Sequence, residues 1–190
     1  EVLVCTNSNC SGKLLGKLTH FVSKKGADIQ GLSEATIQTL LDIELINNFT
    51  DIYKLKSHKD KLLSLPGFGA KSVEKLLLSI ENSREIQLDN FIAALSMPNI
   101  GTSSSKTIAK VCEYNLGALI MMWADNFDFT KLDDFGEVTA KSLTNYFDEY
   151  INEIEALAAE TRFIVPQKQQ VVNNPFVGKT IVVTGKLSHF

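Results

Sequence analysis

No apolar run in the 190-residue sequence approaches the roughly 20 residues that a membrane-spanning helix needs. The first residues, EVLVCTNSNC, lack the basic start and apolar stretch of a secretory signal. Cysteine is scarce. Three residues, an odd number, argue against a disulfide scaffold and suit a reducing cytosol. An excess of positive charge is missing too, since the formal net charge is −3. Any contact with a polyanion must therefore be local rather than the work of a broad basic field. The charge is unevenly spread: residues 1–110 carry 13 Lys/Arg against 11 Asp/Glu, and residues 111–190 carry 6 against 11. Alternating β-branched residues are almost absent before Thr180-Ile181-Val182-Val183-Thr184, so the body is expected to be helical. There is no initiating Met, and the sequence stops inside a strand-like stretch, so both ends read as cut.

A repeat is present. Four segments share an apolar residue, a tight turn with small residues, and a helix start rich in hydroxyl, Ala or Lys. They span residues 28–40, 64–77, 96–111 and 131–143. Aligned on the second small residue of each turn (Ser33, Gly69, Gly101 and Gly136), they lie 36, 32 and 35 residues apart. That is close to one supersecondary unit per repeat. Apolar stripes at helical spacing follow the turns: Val73, Leu76, Leu77 and Ile80 after the second, and Val138, Leu143, Tyr146, Phe147, Tyr150, Ile151, Ile154 and Leu157 after the fourth. Apolar helices precede them, including Phe91–Leu95 with Asp89 as its expected N-cap. The fold expected is mainly α, four tandem helix-hairpin-helix units.

The second copy, LPGFGAKS (65–72), explains what such a turn can hold. Pro66 cannot continue a helix and fixes the turn. Gly67 and Gly69 permit a left-handed backbone and close approach of a ligand. Phe68 can pack inward. The N–H groups of Gly67, Gly69 and Ala70 then meet the positive end of a helix dipole, an anion site that Lys71 reinforces. In the third copy Gly101 is followed by Thr102, Ser103, Ser104, Ser105 and Lys106, whose hydroxyls and ammonium suit phosphate oxygens. The first copy offers Gly31 and Ser33. The fourth offers Gly136, but Asp133, Asp134 and Glu137 surround it, and only Lys141 assists. A packing role is expected there. Backbone contacts of this kind carry no sequence information, so the expected ligand is duplex DNA of any sequence.

Elsewhere the readings are plainer. Lys54, Lys56, Lys59 and Lys61 form a solvated face that can add attraction. The segment 121–129 packs between repeats, and Cys112 is buried. Cys5 and Cys10 are separated by four residues, and by their chemistry alone are either unrelated thiols or half of a four-ligand zinc site.

The hairpins resemble the helix-hairpin-helix family of repair and replication proteins, and the flanks narrow the resemblance. Cys5–Cys10 running into Leu18–Leu32 is similar to the junction of zinc finger and hairpin domain in bacterial NAD-dependent DNA ligases. Residues 174–185 (NPFVGKTIVVTG) resemble the start of the BRCT domain that follows the hairpins there. The resemblance implies four segments: residues 1–17 as the second half of a four-cysteine finger, 18–161 as the hairpin domain, 162–176 as a linker and 177–190 as a truncated BRCT start. It implies Cys5 and Cys10 as zinc ligands. It further implies a parent enzyme that seals nicks in replication and repair using NAD+ and Mg2+ bound outside this chain. The adenylated lysine of that family lies in a Lys-x-Asp-Gly motif that this sequence lacks, so no catalytic residue is expected here. The implied partner is nicked double-stranded DNA, the implied state a monomer in the bacterial cytoplasm near the nucleoid. The competing classes are a non-catalytic hairpin scaffold or nuclease subunit, and a helical protein-interaction module.

Overall fold

A computed structural model describes residues 10–166. Cys5, the end of the expected linker and the whole BRCT-like stretch lie outside the described residues.

Among the described residues the chain runs through α1 (Ser11–Val22), α2 (Glu34–Asp42), α3 (Phe49–Lys54), a 3-10 turn (Leu55–His58), α4 (Lys59–Ser64), α5 (Ala70–Asn82), β1 (Glu85–Gln87), α6 (Leu88–Ala94), α7 (Thr102–Val111), α8 (Leu116–Ala124), a second 3-10 turn (Phe129–Lys131), α9 (Glu137–Ala159) and β2 (Arg162–Ile164). Local chemistry sets many of these boundaries. Ser33, Asn48 and Asn115 cap α2, α3 and α8, each side-chain oxygen accepting a backbone N–H of the first turn. At the other end of α8, Asn126 takes φ +55°, and the Phe127 N–H returns to the Met122 carbonyl, a Schellman closure.

The expected stripes pack as read, with one exception. Val73, Leu76 and Ile80 of α5 are buried, as are Leu143, Tyr146, Phe147, Ile154 and Leu157 of α9. Val138 is not: it is 68% exposed, because it lies on the outward side of the first turn of α9, about opposite the buried Ala140. One apolar core runs from Leu18 on α1 to Leu157 on α9. Phe21 sits inside it, stacked on Phe49 at 4.8 Å and edge-on to Tyr53 at 6.3 Å. Cys112 is buried, as expected.

Three other expectations change. Asp89 does not cap α6: Gln87 holds the N-cap position without a side-chain hydrogen bond, and Asp89 lies in the first turn, buried, with Oδ1 lacking a hydrogen-bond partner. The reason is that Glu85–Gln87 is drawn into a strand, so the helix starts at Leu88, before Asp89. Residues 162–164, read as linker, form β2 parallel to β1, with Phe163 edge-on to Phe91 at 5.0 Å. The boundary placed between residues 17 and 18 falls inside α1, whose Leu14 and Leu15 already pack on the core.

The helices assemble as two pairs of hairpins. Hairpin one joins α1 to α2, hairpin two α4 to α5, hairpin three α6 to α7, and hairpin four the second 3-10 turn to α9. The Gln30 N–H in hairpin one donates to Ser79 Oγ on α5 at 2.7 Å, which ties one to two. Asn99 Nδ2 in hairpin three donates to Ser142 Oγ on α9 at 3.1 Å, which ties three to four. Between the pairs, His20 Nε2 lies 3.3 Å from the Ala93 carbonyl and the Lys17 ammonium sits over the Tyr150 ring at 5.0 Å.

Candidate nucleic-acid interface

Each turn is built on the same plan. Two residues before the helix N-cap, the backbone is left-handed: φ is +94° at Gly31, +83° at Gly67, +60° at Asn99 and +63° at Asp134. The four N-caps, Ser33, Gly69, Gly101 and Gly136, are all extended. Between the left-handed residue and the cap lies an apolar anchor. Leu32, Ile100 and Phe135 are buried, and Phe68 is half-buried against the core. In three of the turns the anchor's N–H closes onto the carbonyl three residues back: Phe68 to Leu65, Ile100 to Met97 and Phe135 to Leu132. The anchor points into the core, so the residues on either side of it point out.

Most of the turn residues singled out from the sequence are on that outer face. Gly31, Ser33, Gly67, Gly69, Ala70, Lys71, Gly101, Thr102, Ser103, Lys106 and Gly136 are all exposed. A Cβ added at Gly67, Gly69, Gly101 or Gly136 would meet no atom within 4 Å. These glycines therefore face open space, and internal packing does not require them to be small. No side chain caps the helices at Gly69, Gly101 and Gly136, which leaves their first-turn N–H groups open to an outside acceptor. Hairpin one differs. Ser33 Oγ accepts the Thr36 N–H at 3.1 Å, so one donor there is already engaged.

One further residue changes place, and another gains a backbone role. Ser105, read as a candidate hydroxyl donor, is fully buried and donates to the Gly101 carbonyl at 2.9 Å; one turn into α7, its side chain points to the core. Asp134, read as a carboxylate that repels phosphate, stands where hairpin two has Gly67. Asp and Asn are the non-glycine residues that best tolerate a left-handed backbone. The position two before each cap, which reads Gly, Gly, Asn, Asp, was the signal in the sequence that identifies them. Lys106 and Lys141 are also equivalent, each five residues past its cap and each exposed. Lys54, Lys56, Lys59 and Lys61 are exposed beside hairpin two.

Of the two cysteines expected as zinc ligands, one lies among the described residues. Cys10 is the N-cap of α1, while Cys5 lies outside the described residues. Among the described residues no three or more of His, Cys, Asp and Glu gather as metal ligands, and a structural zinc ion needs four. The residues described thus do not by themselves fit the ion. Among the same residues no helix is long and apolar enough to cross a membrane.

Four anchored turns, each with a left-handed residue two before a helix N-cap, define a mainly α module of tandem helix-hairpin-helix motifs. A family model described as a SAM-like helix-hairpin-helix tandem matches residues 27–82, which cover hairpins one and two. Over 98% of its length the chain is 37% identical to a DNA ligase of Acholeplasma laidlawii. It is 35% identical over its full length to a DNA ligase of Marinomonas, and 39% identical over 97% of its length to one of Campylobacter hominis. The chain spans 27–28% of the length of these relatives. Along essentially its whole length, then, the chain is homologous to one region of the DNA ligases.

Proposed function

We propose that this chain grips duplex DNA by its sugar-phosphate backbone, as the hairpin region of an NAD-dependent ligase that seals nicks in replication and repair. The observation that carries the reading is the repeated turn, which presents uncapped helix N-termini on open ground beside Lys71 and Lys106. Free N–H groups at the positive end of a helix dipole favour an anion. A backbone donor reads phosphate but not base, so binding is independent of sequence. Hairpins two and three bear most of the grip and hairpin one less. Hairpin four is chiefly scaffolding, since Asp133 and Glu137 flank it.

In this reading NAD+ and Mg2+ act on parts of the parent enzyme outside the chain. The residues here position the nicked duplex rather than react with it. Cys5 and Cys10 contribute two thiolates to a zinc finger completed by other residues of the parent. The module works as a monomer in the cytoplasm.

A salt titration of binding to nicked and intact duplexes tests the reading. Affinity falls linearly in log–log form with salt, at a slope of about −0.9 per phosphate engaged. Replacing Gly67 and Gly69 together with bulky residues weakens binding more than the same change at Asp134 and Gly136. No duplex binding at low salt leaves a protein-interaction module instead, and equal losses at the two hairpins overturn the ranking.

A further inference from the structure

At the ends of α5 and α9, far from the turns, one side chain joins the two hairpin pairs beside the β1–β2 pairing and the Arg162–Glu85 ion pair at 3.3 Å. Arg84 Nη1 donates to both the Glu160 carbonyl at 2.8 Å and the Glu160 carboxylate at 2.7 Å. Its Nη2 donates to the Tyr53 carbonyl at 3.1 Å, and its Nε to the Glu81 carboxylate at 3.2 Å. The guanidinium lies 5.1 Å from the centre of the Tyr53 ring. The Arg84 carbonyl in turn accepts the Arg162 N–H at 2.6 Å, where β2 meets β1. One planar cation thus joins α3, the end of α5 and the end of α9.

We propose that Arg84 is a positioning residue that sets the angle between hairpin pair one–two and pair three–four, so that both pairs engage a single duplex. Hairpins two and four stand at the opposite ends of α5 and α9, helices of 13 and 23 residues. At 1.5 Å per residue α5 is a lever of about 20 Å; α9 is kinked at Tyr150 (φ −124°, ψ 18°), and its arm from the kink to hairpin four is also about 20 Å. A tilt of about 10° across the clasp moves the turn at the end of an arm of about 20 Å by about 3.5 Å, still more than a hydrogen bond can follow. Two linked grips gain by avidity only while the geometry lets both engage together. The fork of the guanidinium holds three partners in fixed directions, which an ammonium cannot do.

The inference rests on the DNA-binding reading, and the experiment has two arms that separate them. In the first, spin labels at Glu74→Cys and Val138→Cys, in the 190-residue chain with Cys5 and Cys10 changed to Ser, report the distance between hairpins two and four. The distribution is narrow with Arg84 and broad with Arg84→Met, whether or not the chain binds DNA. An unchanged distribution overturns the proposal. In the second arm, salt-titrated binding to a nicked duplex is compared for the parent chain, Arg84→Met and Arg84→Lys. Arg84→Met loses at least about tenfold in affinity and about half the salt slope, while Arg84→Lys recovers only part of each. A folded Arg84→Met chain with the parent slope also overturns it. Where Arg84→Met does not fold, Glu160→Gln removes one charge and keeps the shape, and the same comparison applies.

Discussion

Asn99 Nδ2 donates to Ser142 Oγ at 3.1 Å while the Asn99 backbone sits at φ +60°. One residue thus serves hairpin three twice: it tolerates the left-handed turn and fastens that turn to the helix following hairpin four. Asn99→Ala forfeits both, and its expected cost is about 1–2 kcal/mol. Asn99→Gly keeps the turn and loses only an exposed bond, for about 0.5 kcal/mol. Urea midpoints of the two variants decide this, and an Asn99→Ala chain as stable as the parent refutes it.

Gly67 and Gly69 separate stability from binding. Both face open space, but Gly67 is left-handed at φ +83° and Gly69 is not. Gly67→Ala loses about 1 kcal/mol to backbone strain alone. In Gly69→Ala the extended backbone accepts any residue, and the gain through the unfolded chain offsets the poorer N-cap, so it folds within about 0.5 kcal/mol of the parent. Under the proposed grip it still weakens duplex binding, because a methyl group then stands where a phosphate is proposed to approach. Paired melting and binding measurements check the split. A Gly69→Ala chain that loses stability but keeps its affinity contradicts it.

Alkaline pH should loosen the joint between α9 and its neighbours. Burial first, then the neighbouring Tyr150, raises the Tyr146 phenol above its ordinary range. Its hydroxyl donates to the Leu95 carbonyl at 3.0 Å, where α6 ends. A hydrogen bond to Glu149, with burial behind it, pushes Tyr150 up to about 12. Burial raises Tyr53 as well. An unfolded tyrosine titrates near 10, so the folded state holds these protons more tightly. Their contribution is complete below about pH 10 and is lost as pH climbs through the folded values. Tyr146→Phe costs about 1 kcal/mol at neutral pH from the lost hydrogen bond, and makes the fall above pH 10 shallower. Denaturant titrations from pH 8 to 12 on both chains test the difference, and parallel curves exclude Tyr146 as a source.

Much of the candidate interface was legible because it is made of local chemistry. Turns at Gly31, Gly67, Gly101 and Gly136 announce themselves through residues whose backbone preferences need no neighbours. The stripe Val73, Leu76, Ile80 marks a buried helix face for the same reason. Misreadings arose where a residue's surroundings come from elsewhere in the chain. Ser105 and Ser103 belong to one hydroxyl run, yet only the packing of α7 decides that Ser105 faces inward. Val138 is apolar but exposed, because it lies about opposite the buried Ala140 in the first turn of α9. Residues 162–164 carry no strand signal of their own, and pair because α9 delivers them beside Glu85–Gln87.

Local residue chemistry sets the four turns, their order and the helices they start. Gly, Asn, Asp and Pro act on the backbone within a residue or two, and a helical stripe needs only its own spacing. Tertiary structure decided how the turns are grouped. Gln30 meets Ser79 across 49 residues of chain, Asn99 meets Ser142 across 43, and Arg84 meets Glu160 across 76. Such partners are chosen by how α1, α5, α6 and α9 bury their apolar faces against one core. No spacing along the chain encodes that choice, because its energy exists only once the faces have closed.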